Sequence, residues 1–230
     1  MSEGPAPQKI TVDIVSDAVC PWCYIGKRNI EAALSELPGV EAEINWRPYQ
    51  LDPTIPLEGV DRMAYMQRKF GPRVSEIHGR VSEAGAAAGI PFAFEQIARS
   101  PNTLDAHRLI RWSMSAGAQD AVVERLFRDF FIEGKDIGDG AVLVAAARDC
   151  GMDPEVVSNL LASDADKDLV RNEIAQAQEL GVTGVPFFIL NGKFGLPGAQ
   201  PPDVLKRAIG RAIERAQAEE SGAAETGVQS

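Results

Sequence analysis

Cysteine is scarce: three in 230 residues, an odd number and too few for a secreted disulfide scaffold. Histidine is scarcer still, with only His78 and His107. A zinc centre built on any cysteine pair would need ligands from these histidines and Cys150, and they stand at no ligand spacing, so no metal is expected. Basic residues are outnumbered, 23 Lys and Arg against 33 Asp and Glu, giving a formal charge of −10. That balance argues against nucleic acid or an anionic membrane as partner, since both require a basic surface. No apolar run approaches the ~20 residues of a membrane-spanning helix. The first eight residues are polar and carry no apolar signal core. The expectation is a soluble, cytoplasmic protein. Its length suits one large domain, or one domain with a sizeable insertion, able to bury a core without disulfide staples.

Against that background two of the cysteines stand close together, in Cys20-Pro21-Trp22-Cys23. The stretch Lys9–Ser16 alternates apolar and β-branched residues with polar ones and reads as a strand. A helix is predicted from Tyr24 to Leu37, stopped by Pro38-Gly39. Strand, CxxC, helix in that order reads as a redox site. The first N–H groups of a helix lack intrahelical partners and carry partial positive charge, which favours a thiolate, the reacting species in disulfide exchange. Pro21 and Trp22 put no charge between the cysteines, so thiolate stabilisation must come from those backbone donors. Cys20 is expected to be the exposed attacking thiol and Cys23 the resolving one. The bland alternative is a pair of structural cysteines.

A second strand centred on Ile44–Arg47 completes a βαβ unit over residues 9–50. From Asp61 to about Gly181 the pattern turns helical with almost no strand signal. Helices are predicted at 61–70, 72–89, 103–116, 120–132, 141–150, 153–161 and 164–180. Asp153-Pro154 looks like a cap followed by a first-turn proline, and Gly181 like a stop. Strand signal returns at Val185–Leu190, followed by an Asn191-Gly192 hairpin turn, a short return strand Lys193–Leu196 and a last helix Pro201–Ala218. Residues 1–8 and 219–230 are expected to be flexible termini.

These pieces resemble the thioredoxin fold of the DsbA-type branch, split after its second strand by a helical insertion. Three segments carry the resemblance: Cys20-Pro21-Trp22-Cys23, the run Gly181–Phe188 (GVTGVPFF), and Ser100–Leu109 (SPNTLDAHRL). The last is similar to a segment of FrnE-like proteins, relatives of 2-hydroxychromene-2-carboxylate isomerases and kappa-class glutathione transferases. The implied organisation is a discontinuous α/β thioredoxin-like domain, residues 9–60 and 182–218, with a helical insertion domain at 61–181. The resemblance implies that Pro186 is cis and lies beside the CxxC; read alone, Pro186 could equally start an edge strand. Thr183, Gly184, Val185 and Pro186 would then join Pro21 and Trp22 as substrate-binding surface, their backbone pairing with an extended peptide or with glutathione. Asn102 and His107 would face the CxxC from the helical block. Asn102 or Thr103 could instead cap the following helix, and His107 could be a satisfied polar group between helices. Asp13 or Asp17 could shuttle a proton to Cys23, or be a solvated or turn-forming carboxylate. Cys150 reads as an ordinary core or surface thiol.

Three functions compete. The first is a cytoplasmic thiol–disulfide oxidoreductase acting on protein or small-thiol substrates, with no bound cofactor and glutathione as a candidate co-substrate. The second is a glutathione-dependent isomerase or transferase of small aromatic substrates, whose members typically carry serine where Cys20 stands and lack the second cysteine. The third is a redox-linked chaperone or binding module. Self-association into a homodimer is left open.

Overall fold

The computed structural model describes residues 7–226, with side chains described to residue 219. The chain opens with β1 (Gln8–Ser16), whose Ile10, Val12 and Ile14 point to one buried face. Helix α1 (Pro21–Ser35) follows, and β2 (Val40–Pro48) returns parallel to β1 with Ile14 opposite Trp46. The helix begins three residues earlier than predicted, because Pro21 takes a first-turn position, where its missing N–H costs nothing. This puts Cys20 at the N-cap and Cys23 inside the first turn.

The helical region then runs through α2 (Arg62–Phe70), α3 (Val74–Ala87), α4 (Leu104–Ser115), α5 (Gln119–Phe131), α6 (Gly140–Asp149), α7 (Pro154–Leu161) and α8 (Lys167–Glu179). Two-residue strands β3 (Val60–Asp61) and β4 (Arg99–Ser100) pair antiparallel within it. A pairing this short leaves no alternation in the sequence, so it was not foreseeable. Pro72 lies in a short 3-10 turn ahead of α3 rather than in its first turn. Asp61, Asp139 and Asp153 each accept a backbone N–H from the helix they precede, as capping aspartates should.

After Gly181, whose φ of +86° ends α8, the chain forms β5 (Phe187–Leu190), turns at Asn191-Gly192 with φ of +49° and +65°, and returns as β6 (Phe194–Pro197). The four long strands lie in the order β2-β1-β5-β6, with β5 antiparallel to both neighbours. The last helix, α9 (Pro202–Thr226), packs on α1 with Leu205, Ile209 and Ala212 buried. It continues past Ala218, the predicted end. The flexible termini expected at 1–8 and 219–230 fall outside the described residues at 1–6 and 227–230; Gln8 is already strand, and residues 219–226 are helix. Among the described residues no helix is long and apolar enough to cross a membrane.

One continuous apolar core joins the sheet to the insertion. Val12, Ile14 and Phe188 from the sheet meet Leu126, Phe127 and Phe131 from α5 within it. Tyr24 of α1 stacks on Phe127 at 4.9 Å. Gln119, at the head of α5, accepts the Trp46 N–H at 3.0 Å and donates to its carbonyl at 3.3 Å, covering one position of the β2 edge.

Candidate active site

Cys20 has extended backbone angles, φ −93° and ψ 111°, so its side chain leaves the end of α1 toward the loop before β5. Its Sγ donates to the Val185 carbonyl at 3.5 Å. The Val185–Pro186 peptide bond is cis. The Pro186 carbonyl is taken by the Gly198 N–H at 2.8 Å, whereas the Val185 N–H has no partner among the described residues. A substrate pairing with this loop therefore finds one open donor and one carbonyl that Cys20 must release.

Pro186 can approach because position 26 is glycine. A Cβ there would stand 3.0 Å from Pro186 Cγ and 3.3 Å from Phe188 Cζ, so any side chain must shift the loop that faces Cys20. Sequence reasoning missed Gly26. The available signal was an isolated glycine inside a helical pattern, which commonly marks close packing.

Cys20 is almost wholly covered, at 3% exposure, where the sequence reading expected an exposed thiol. It belongs to the main apolar core with Ala18, Cys23 and Tyr24 and meets the Val185 carbonyl. A cavity of about 350 Å³ opens beside Cys20, and Pro21, Trp22, Val185, Met66, Phe70 and Phe94 are among the side chains that line it. Access is through this cleft rather than from open solvent, with Trp22 40% exposed at its side. Nothing in the sequence beyond helical amphipathicity marked the α2–α3 residues as its wall.

Cys23 is fully buried behind Cys20, and both are free thiols. Burial pushes the Cys23 thiol well above its ordinary 9.0, and the neighbouring Cys20 adds to the rise. Hydrogen bonds from the Ser16 side chain and the Asp17 backbone oppose it. These two are the groups positioned to stabilise a Cys23 thiolate when one must form. Tyr24, one residue on, is raised to about 12, by burial and then by Glu124, to which its hydroxyl donates at 2.9 Å.

The sign of the resulting pH dependence is fixed. Both groups hold their protons more tightly folded than unfolded, so they cost nothing below the unfolded thiol value. Stability is lost as pH rises above about 9 for Cys23, and further between about 10 and 12 for Tyr24. Urea midpoints of the reduced protein should fall from pH 8 to pH 10, and Cys23→Ala should flatten the first part of that fall. A midpoint unchanged over this range would contradict the burial argument.

The remaining predicted residues are not all brought to the cleft. Thr183 and Gly184 are exposed on the loop preceding Val185. Ser100, Pro101 and Thr103 line the cavity, but Asn102 and His107 do not. The Asn102 amide is occupied: it donates to the Ile55 carbonyl at 2.6 Å, and accepts from Gln50 Nε2 and the Leu104 N–H, both at 3.0 Å. The Leu104 bond is the capping bond that Thr103, formally the N-cap, does not make. His107 is buried beneath the cleft, its Nε2 2.8 Å from the Tyr49 carbonyl and 3.5 Å from Asp17 Oδ1. Asp17 lines the cleft and accepts the Leu51 N–H at 2.8 Å, fixing the loop after β2. Asp13 pairs with Arg47 at 2.8 Å on the strand surface. Cys150 caps the end of α6, half-buried and held above its usual pKa by burial.

A second layer holds α1 in place. The Lys27 ammonium is buried at 2% exposure among Glu31, Asp120 and Glu124, all better exposed than itself. Burial alone would lower its pKa, but hydrogen bonds to Asp120 and Glu31 outweigh that and leave it raised. Asp120 also accepts from Trp46 Nε1 at 3.1 Å. The CxxC helix is thereby tied to α5 and β2 at once.

With this geometry in view, comparison with known proteins is informative. Residues 11–210 match the family described as DSBA-like thioredoxin domain. A probable DsbA oxidoreductase, SCO1869, from Streptomyces coelicolor is 31% identical, with a TM-score of 0.81 over 88% of this chain and 89% of that one. The cytosolic disulfide reductase DsbM from Pseudomonas aeruginosa, solved with GSH, shares the fold at 19% identity and a TM-score of 0.64, covering 89% and 99% of the chains. A 2-hydroxychromene-2-carboxylate isomerase shares it at 20% identity and a TM-score of 0.67, covering 91% and 98%.

Proposed function

Because the chain belongs to the DSBA-like thioredoxin domain family, we propose that it is a cytoplasmic thiol–disulfide oxidoreductase working through Cys20 and Cys23. The observation that carries this reading is the asymmetry of the pair. Cys20 opens onto a substrate-sized cleft and faces Val185, while Cys23 is sealed behind it with its thiol held protonated. In the reductive direction the Cys20 thiolate attacks one sulfur of a substrate disulfide and expels the other as thiolate. Cys23 then loses its proton and attacks Cys20 Sγ. The substrate sulfur bonded to Cys20 leaves, taking up a proton, and the protein keeps a Cys20–Cys23 disulfide. Two electrons have moved to the substrate. Oxidation of a substrate dithiol is the same sequence reversed. Trp22, Val185 and Pro186 would form the substrate-contacting surface, with the open Val185 N–H as a backbone donor. No bound cofactor is invoked; glutathione or a protein thiol would serve as the second substrate.

The test is to equilibrate the protein across glutathione buffers, alkylate free thiols and weigh the products intact. The expected result is one two-electron transition to the Cys20–Cys23 disulfide. A midpoint near about −270 mV would make it a reductant and one near about −120 mV an oxidant. Accumulation of a stable glutathione adduct without the internal disulfide would overturn the reading. It would favour a glutathione-dependent isomerase or transferase instead, a second reading for which the apolar cleft is the supporting observation. That chemistry should survive loss of Cys23, whereas disulfide cycling should not.

A further inference from the structure

The cleft beside Cys20 is lined mostly by apolar side chains, with Arg62 and His78 among the polar ones. Among the described residues, three buried side-chain nitrogen or oxygen atoms lack a hydrogen-bond partner: Arg62 Nε, His78 Nε2 and Glu124 Oε2. The Glu124 oxygen is 3.8 Å from the Lys27 ammonium, so its charge is met. The other two are nitrogens, and both residues line this one cavity. Buried polar groups are normally satisfied, so two orphaned nitrogens on residues that line one pocket call for an explanation.

Arg62 has no ion pair among the described residues either. No carboxylate among the described residues lies within 4.0 Å of its guanidinium, whose one side-chain hydrogen bond is to Ser100 Oγ at 3.3 Å. Its guanidinium carbon sits 5.8 Å from the Phe130 ring centre. The carboxylates on the cleft are spoken for. Asp17 accepts from the Leu51 N–H, and Asp52 is bonded by Thr54. Lys69 donates to the Tyr65 hydroxyl at 3.0 Å. The His78 ring is stacked on Phe94 at 4.4 Å. Burial and then the charge of Arg62 lower its pKa. One cavity is thus lined by an imidazole, apolar side chains, Cys20 and a guanidinium without an ion-pair partner among the described residues.

We propose that this cleft selects small disulfides bearing an apolar body and one carboxylate, the carboxylate seating on Arg62 and His78 while the disulfide reaches Cys20. The inference rests on the oxidoreductase reading above and names its substrate class. A volume of about 350 Å³ lies at the small end of ligand pockets and suits such a molecule better than a length of polypeptide. The bond formed is Cys20 Sγ to one substrate sulfur, and the bond broken is the substrate S–S. Cys23 then releases the bound half, so one disulfide is reduced to two thiols as the protein dithiol becomes a disulfide. The guanidinium takes no part in the electron transfer. It positions the carboxylate through charge-assisted hydrogen bonds, a pairing for which a planar fork is well matched.

The test uses reduced full-length protein and three oxidants: 4-carboxyphenyl methyl disulfide, its uncharged carboxamide counterpart, and glutathione disulfide. Rates of Cys20–Cys23 oxidation are divided by those for dithiothreitol with the same oxidants, which removes intrinsic reactivity. The carboxylate should be preferred over the carboxamide by about 10- to 100-fold, the range expected of one charge-assisted hydrogen-bonded pair. Arg62→Gln should collapse that ratio toward one, and Arg62→Lys should restore part of it. The comparison of oxidants in the unaltered protein stands even if a variant does not fold. A ratio near one with normal oxidation, or glutathione disulfide outpacing the carboxylate, would overturn the substrate assignment alone. Oxidation by none of the three would overturn both it and the oxidoreductase reading.

Discussion

Cys23→Ser should stop turnover and leave Cys20 in mixed disulfides that accumulate instead of resolving. The expected loss in multiple-turnover disulfide exchange is at least about 10³-fold. The reason is the effective concentration of a thiol one helical turn away, which far exceeds any external thiol at millimolar levels. Burial makes the effect sharper. Cys23 sits at 0% exposure, so no small thiol can take its place, and resolution must come through the cleft occupied by the substrate itself. The first attack needs only Cys20, so the variant should still consume one equivalent of disulfide in a single burst. Intact mass after incubation with a model disulfide, and gels run without reductant after incubation with cell extract, read the two consequences. Serine at position 23 keeps the side chain's volume nearly unchanged, and fold loss is therefore not the expected cause. Release of product at the rate of the unaltered protein would refute the assignment of Cys23 as the resolving thiol. Cys20→Ser should abolish the burst as well. Slow trapping through Cys23 in that variant would mean the roles are reversed.

Much of the fold was legible because its signals were local. The alternation of Lys9–Ser16, the Asn-Gly turn at 191–192 and the Asp153-Pro154 cap each report a backbone preference that tertiary context did not override. The Cys20–Pro186 proximity was legible only through the family resemblance, since 165 residues separate Cys20 from the Val185 carbonyl it meets. What the sequence concealed are features made by the insertion folding over the CxxC. Arg62 and His78 carry no spacing signature, and they line one cavity only because α2 and α3 pack against each other. Asn102 reads in the sequence as a cap or as a cleft residue. Its amide makes the capping-type bond to Leu104 and also bridges to Gln50 and Ile55, a choice decided by neighbours distant in sequence. The burial of Cys20 is likewise tertiary: a reactive thiol at a helix start is exposed by default, and here it joins the main apolar core and meets the Val185 carbonyl, with the insertion facing it across the cleft.

That insertion depends on residues that never touch the reaction, and Arg108 is the one whose loss should cost most. Its side chain is fully buried, with 0% exposure, in the middle of α4. Nε donates to the Ala165 carbonyl at 2.7 Å, and one terminal nitrogen donates to the Leu160 and Ser163 carbonyls at 2.6 and 3.0 Å. The other pairs with Asp105 at 2.8 Å. The guanidinium also lies 4.8 Å from the Trp112 ring centre, while the Trp112 indole donates to Asp166 at 2.7 Å. Leu160 and Ser163 belong to the end of α7, where unpaired carbonyls gather and a cation is favoured. Arg108 therefore satisfies the end of α7 and the start of α8 from a third helix, which packs them onto α4. Arg108→Met fills similar volume but orphans the Ser163 and Ala165 carbonyls and leaves Asp105 without its partner, while Leu160 keeps the Ser163 N–H and hydroxyl. The expected destabilisation is about 3–5 kcal/mol, from roughly 1–3 kcal/mol for each carbonyl left unsatisfied plus a half-buried carboxylate left unpaired. For a chain of this size that corresponds to a fall in Tm of roughly 10 °C. Arg108→Lys should recover only part, because an ammonium cannot reach carbonyls on two sides as the planar fork does. Denaturant titration of the reduced protein measures the loss, and a change below about 1 kcal/mol would mean that water or neighbouring groups satisfy those carbonyls. The redox midpoint of whatever fraction remains folded should not move, since no bond of Arg108 reaches α1 or the loop at Pro186. A shift in midpoint would instead show that the insertion's packing sets the balance between dithiol and disulfide at the CxxC.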